Sequence, residues 1–290
     1  MLFNYKSLLV GVSLISQAFS APAAAPAALE ARSSLDPGAF DDLQRAAKLS
    51  SAAYSGCIGK AFDITITKTI RDVLTDTNGF VGVSNERKTI AVIMRGSTTI
   101  ADILNDIDTS LVTPKLSGVN FPGDVKIMRG LNRPWSAVHD EIIAEVKSLV
   151  AKYPDYTLEA AGHSLGGALT YMSHVALSQN FPGKALRSNA LAAFPIGNAA
   201  WANWAGSLPG TLIRGNNVAD GVPNMYVSGL FNFKHYGTEY YSAGLSATCR
   251  KCEGQRDLTC SAGNLMWSVT PGHFQSFGVI MMAAGCGLLG

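Results

Sequence analysis

With 290 residues, of which 47% are hydrophobic and only 15% charged, the chain has enough apolar material for one large core and too little charge to stay disordered. Its formal net charge of +2 is spread along the sequence, leaving neither a basic face for nucleic acid nor an acidic solvating tail.

The N-terminus reads as an export signal. Lys6 precedes the apolar run SLLVGVSLISQAF and then small residues, with cleavage expected after Ser20. That run is too short to span about 30 Å of hydrocarbon, so no transmembrane anchor is expected. Residues 21–32 are Ala- and Pro-rich with nothing to bury and read as a linker or propeptide, which leaves 33–290 as a single domain.

Along that domain, DDLQRAAKLSSAAY sets Leu43, Ala46, Ala47, Ser50 and Tyr54 at helical spacing, and GFVGVS and TIAVIMRGS follow as strands joined by a turn at NERK. In TTIADILNDIDTS, residues 98–110, Ile100, Ile103, Leu104 and Ile107 share one helical face and Asp102, Asn105 and Asp106 the other. Pro134 is expected to open the helix PWSAVHDEIIAEVKSLVAKY, with Trp135, Val138, Ile142, Val146 and Leu149 on its buried side. YTLEAAGHS is a strand interrupted by Glu159, GGALTYMSHVAL a helix, and ALRSNALAAF, TLIRGN and TEYYSAG are strands. The apolar tail GVIMMAAGCGLLG reads as a packed C-terminal helix rather than a lipid-anchor signal. Strands separated by helices imply an α/β fold, with a mostly parallel central sheet flanked by helices on both faces.

Within that alternation GHSLGG, residues 162–167, falls at a strand-to-helix junction, where G-x-S-x-G is the nucleophile elbow of an α/β-hydrolase. Gly162 and Gly166 keep Cβ atoms out of a tight turn and leave Ser164 exposed to an ester, with the Leu165 N–H placed to meet an oxyanion at the helix N-terminus. His163, next to it, is expected to project away from the nucleophile.

A serine needs a base within hydrogen-bond reach, and the chain has five histidines. His139 and His174 lie within helices and His235 leads into a strand, whereas His273 follows TPG in a late loop, as the order Ser, acid, His of this fold requires. Of the carboxylates after Ser164, Glu239 lies inside a strand and Glu253 and Asp257 lie between cysteines; Asp220 stands in NNVADGVPN, just past a strand. Its competing role is to cap its own turn.

Five cysteines in an exported chain suggest disulfides. Pairing Cys252 with Cys260 closes a short polar loop, and pairing Cys57 with Cys286 ties the first helix to the last, leaving Cys249 over. CRKC has the spacing of a zinc half-site but lacks a second pair, so neither metal nor other cofactor is expected.

Taken in order, these motifs resemble the fungal class 3 lipases of the α/β-hydrolase fold over essentially the whole mature chain: RGS at 95–97, GHSLGG, FPIGN, DGVP, HYGTEYY and GHFQSFG. The resemblance implies Ser164 as nucleophile, Asp220 as acid and His273 as base, with Ser97 joining Leu165 in the oxyanion hole. Residues 98–110 take the place of that family's lid, whose apolar face (Ile100, Ile103, Leu104, Ile107) would cover an acyl groove and turn outward at a lipid surface. Met128 and Tyr241 depart from the family's usual His and Trp. The expected function is a secreted serine esterase acting on acylglycerol esters at a lipid–water interface. The alternatives are a feruloyl or other soluble-ester esterase of the same fold and a non-catalytic binding relative.

Overall fold

The computed structural model describes residues 33–99 and 106–287, and ten strands within them form the central sheet. In chain order these are β1 (Ser34–Leu35), β2 (Lys60–Ala61), β3 (Ile64–Asp72), β4 (Thr77–Ser84), β5 (Thr89–Met94), β6 (Thr157–His163), β7 (Leu186–Leu191), β8 (Thr211–Asn217), β9 (Thr238–Ser242) and β10 (Arg250–Lys251). Across the sheet the order is β1-β10-β9-β8-β7-β6-β5-β4-β3-β2. From β5 to β9 every pairing is parallel, and both flanks are antiparallel. Among the described residues the longer helices are α1 (Phe40–Ser55), α2 (Arg129–Lys152), α3 (Leu165–Asn180) and α4 (Ala199–Ser207), and the last three supply crossovers between parallel neighbours.

Alternating side chains divide the core into two layers. Ile90, Val92 and Met94 of β5 join Val81 and Val83 of β4 and Leu158 and Ala160 of β6 in one layer, against Leu131, Trp135 and Val138 of α2 and Leu169 and Met172 of α3. The intervening Ala91, Ile93, Phe80 and Ala161 face the other layer, against Phe40, Leu43 and Ala47 of α1 and Phe277, Val279 and Met281 of the C-terminal segment. Both faces of β5 are covered, which is why IAVIM reads as a continuous apolar run.

Several elements differ from the sequence reading, among them α4 and the short strands β1, β2 and β10, which it lacks. α2 begins at Arg129, not Pro134, because the Arg129 and Gly130 N–H groups donate to the Ser110 and Asp108 carbonyls (both 2.8 Å), so tertiary contacts satisfy its first turn. The C-terminal tail is not a helix: Gln275–Ser276 pairs with Val279–Ile280 as a short hairpin, and Gly278, Met282, Gly285 and Gly287 have positive φ, incompatible with a continuous helix. β3, an exposed-and-buried alternation over Ile64–Asp72, adds an antiparallel strand that the sequence reading lacks. Of the proposed lid face, Ile100, Ile103 and Leu104 lie outside the described residues, while Ile107 is half-buried against the first core layer.

Cys57 is bonded to Cys286 and Cys252 to Cys260, leaving Cys249 as a buried free thiol whose pKa burial pushes up to about 11. Since the tail is no helix, the first bridge ties the end of α1 to a turn. Among the described residues no helix is long and apolar enough to cross a membrane.

Glu159, the interruption in β6, is matched by Arg45 of α1. The Arg45 guanidinium meets both Glu159 oxygens (2.9 Å each) and the Asp63 carboxylate (2.7–3.0 Å). Burial alone would raise the Asp63 pKa, but hydrogen bonds and charge from Arg45 bring it below the usual carboxylate range. Arg45→Met strands two carboxylates and should cost on the order of 3 kcal/mol at pH 7. A carboxylate with a lowered folded pKa stabilises fully above its unfolded value, about pH 4, and loses that contribution as pH falls through the folded one. The gap in melting temperature between wild type and variant should therefore narrow towards pH 3; an equal gap at pH 7 and pH 3 would contradict the pairing.

Candidate active site

Ser164 stands where β6 gives way to α3, with φ 60° and ψ −124°, a backbone state that costs a non-glycine residue on the order of 1–3 kcal/mol. Its neighbours hold it there. A Cβ on Gly162 would collide with the Gly166 carbonyl, and one on Gly166 with the Met94 carbonyl at the end of β5, so only glycines let α3 start this close to the sheet. The Ser164 N–H donates to the Leu191 carbonyl at the end of β7, and the Ser164 carbonyl accepts from Ala168 N–H (both 2.9 Å).

Three distant side chains meet at this turn. Ser164 Oγ lies 2.9 Å from His273 Nε2, and His273 Nδ1 lies 3.0 and 3.1 Å from the two Asp220 oxygens. All three residues are fully buried. A carboxylate accepts only, so Nδ1 carries the proton facing Asp220, and Nε2 presents a lone pair to the serine hydroxyl. Such a row can take a proton from the hydroxyl and stabilise the imidazolium that results.

Asp220 is held from several directions. Its Oδ1 also accepts from Val222 N–H (2.9 Å), so it caps its own turn as well as meeting His273. Asn264 donates to the Asp220 carbonyl (2.8 Å) and accepts from Ala219 N–H (3.3 Å), and Gly221 N–H donates to Thr270 Oγ1 (3.1 Å). The acid turn and the segment leading to His273 are thereby stitched together. Beneath them Arg214 of β8 and Glu239 of β9, adjacent in register and both almost fully buried, lie 3.2 Å apart, and Glu239 accepts from Ser261 N–H (3.0 Å).

Ser97, past the end of β5, is buried, and its Oγ accepts from Thr99 N–H (3.1 Å). Leu165 opens α3, so its N–H has no intrahelical acceptor and sits at the positive end of the helix dipole.

The remaining histidines have other partners. His174 meets Ser188 Oγ (2.9 Å), with burial lowering its pKa to about 4. His235 sits between the Tyr171 hydroxyl (3.2 Å) and the Pro223 carbonyl (2.8 Å), and His139 lies beside Asp140 (2.8 Å). His163 does not turn away from the site as its strand position suggests. Its ring lies 4.7 Å from that of His273, centroid to centroid, with Nε2 2.8 Å from the His273 carbonyl and Nδ1 3.2 Å from the Tyr54 hydroxyl. Tyr54 and Asn264 lack any local sequence signal for these contacts: Tyr54 reads as one more residue on the inner face of α1.

Among the described residues, Glu239, Cys252 and Cys260 bring potential metal-ligand atoms within 4.8 Å of one another. The two sulfurs are bonded to each other, so neither is a thiolate able to bind a metal.

The sequence model for the class 3 lipases matches residues 91–229. A secreted alkaline triacylglycerol lipase of Penicillium cyclopium is 72% identical over 289 residues, covering 100% of both chains. The crystal structure of a triacylglycerol lipase from Penicillium expansum, 71% identical, superposes with a TM-score of 0.86 over 89% of this chain and 100% of that one. A further triacylglycerol lipase, whose catalytic centre is described as a serine protease triad, is 25% identical with a TM-score of 0.77, over 88% of this chain and 99% of its own. The chain belongs to the class 3 lipase family.

Proposed function

We propose that this chain is a secreted triacylglycerol lipase in which Ser164 is the nucleophile, His273 the general base and Asp220 the acid that orients it. The observation that carries this reading is the buried hydroxyl–imidazole–carboxylate row, with contacts of 2.9 and 3.0 Å. His273 takes the proton as Ser164 attacks the ester carbonyl, and the Ser97 and Leu165 donors hold the oxyanion. The imidazolium then protonates the departing alcohol, and water, activated by the same imidazole, hydrolyses the acyl-enzyme. Secretion rests on the leader at 1–20, the linker or propeptide at 21–32 preceding the domain at 33–290, and two disulfides suited to an oxidising compartment.

Action at a lipid–water interface is favoured by the surroundings of the row. The loops carrying Asp220 and His273 expose Val218, Leu265, Met266, Trp267 and Phe274, and residues 258–290 contain no Asp, Glu, Lys or Arg. Such a surface can enter neutral lipid without desolvating fixed charge. Ser164, with no exposed surface, has to be uncovered before an ester reaches it.

The test is the rate of tributyrin hydrolysis across its solubility limit. A steep rise once droplets form is expected; a smooth saturating curve would favour the soluble-ester esterase, and failure to label with a fluorophosphonate would favour a binding relative.

A further inference from the structure

His273 sits on a short 3-10 turn, Pro271–Phe274, rather than on a strand, so the precision of its imidazole depends on what anchors that turn. One anchor comes from the residue beside the nucleophile. The carbonyl of His273 can only accept, so His163 Nε2 carries the hydrogen of their 2.8 Å contact. His163 is completely buried, and burial, with the neighbouring His273 adding to it, holds its pKa well below the ordinary histidine value. The ring is therefore neutral and Nδ1 is a lone-pair acceptor, and the one hydrogen of the Tyr54 hydroxyl is shared between Nδ1 at 3.2 Å and the His163 carbonyl at 3.3 Å.

The Tyr54 hydroxyl also lies against the backbone of Gly96. Gly96 precedes Ser97, and a Cβ at residue 96 would collide with the Tyr54 hydroxyl, so glycine is what lets the tyrosine reach this point. One hydroxyl on α1 thus touches the oxyanion side of the site and, through one imidazole, the base side.

We propose that Tyr54 and His163 are positioning residues: Tyr54, packed on the Gly96 backbone, and His163, bonded to the His273 carbonyl, form a relay that sets the oxyanion strand end and the base in register with Ser164. A neutral imidazole suits this task because it offers an acceptor and a donor on two sides of one rigid ring. The inference rests on the reading of Ser164 and His273 given above.

Its test uses p-nitrophenyl butyrate below its solubility limit, so that adsorption to lipid does not enter, with melting temperatures measured alongside. His163→Leu should lower kcat by about 100-fold, the scale of a misplacement near 1 Å, with KM changed less than about twofold. His163→Gln, which keeps a donor at the reach of Nε2, should restore most of that loss. Tyr54→Phe, losing one hydrogen bond, should lower kcat by about 3- to 10-fold, again without moving KM. The relay is overturned if His163→Leu keeps kcat within about twofold, or if the glutamine variant is as slow as the leucine one. Should the leucine variant fail to fold, an unchanged kcat in Tyr54→Phe overturns it equally. Ser164→Ala separates the two levels: an inactive alanine variant beside a fully active leucine variant removes the relay alone, whereas an active alanine variant removes the underlying reading as well.

Discussion

Ser164→Ala should lower kcat on a soluble p-nitrophenyl ester by about 10⁶-fold, since loss of the nucleophile costs nearly as much as loss of the whole hydrogen-bonded row. The fold should survive. Alanine keeps the Cβ and the positive-φ strain of residue 164, the turn is held by Gly162 and Gly166 against the end of β5, and the lost contact is one hydrogen bond to His273. Active-site titration with a fluorophosphonate checks the result from a second side, because the alanine variant should take up none. A variant that retained a tenth of wild-type turnover would place the chemistry elsewhere.

Asp220→Asn should be nearly as damaging to chemistry and gentle to structure. Asparagine can still accept from the Val222 N–H through Oδ1, preserving the turn, but its amide then donates towards His273 Nδ1. That reverses the tautomer: the ring proton moves to Nε2, and Ser164 Oγ faces an N–H instead of a lone pair. A fall in kcat of about 10⁴-fold is expected, with KM close to wild type. A loss below tenfold would mean that the carboxylate serves the turn and not the imidazole.

The site was more legible in the sequence than its supports. GHSLGG sits at an identifiable junction, and elimination among five histidines and four late carboxylates leads to His273 and Asp220, which the fold brings together with Ser164. Each lies on a loop whose Gly and Pro content marks it. Tyr54 is different, because nothing within a window of α1 distinguishes a core tyrosine from one that reaches a histidine 109 positions away. The start of α2 differs for a related reason: Pro134 carries the local signal of a first helical residue, whereas carbonyls from 108 and 110 extend the helix backwards. In the tail, apolar composition favours a helix, but the glycines at 278, 285 and 287 turn the chain instead. Glu159 reads as an interruption in an apolar strand because its partner, Arg45, is contributed by a helix far away in sequence, and the partner of Glu239, Arg214, comes from the neighbouring strand.

The bridge between Cys57 and Cys286 spans 229 positions, so nearly the whole folded chain is a covalent ring. A single cut by a protease anywhere between those two residues, even at the fully exposed Leu230, opens the ring into one longer thread without setting a fragment free. Strands and helices on either side of the nick stay tethered at high local concentration and can keep their contacts. Release of a fragment from within the ring therefore takes a second cut.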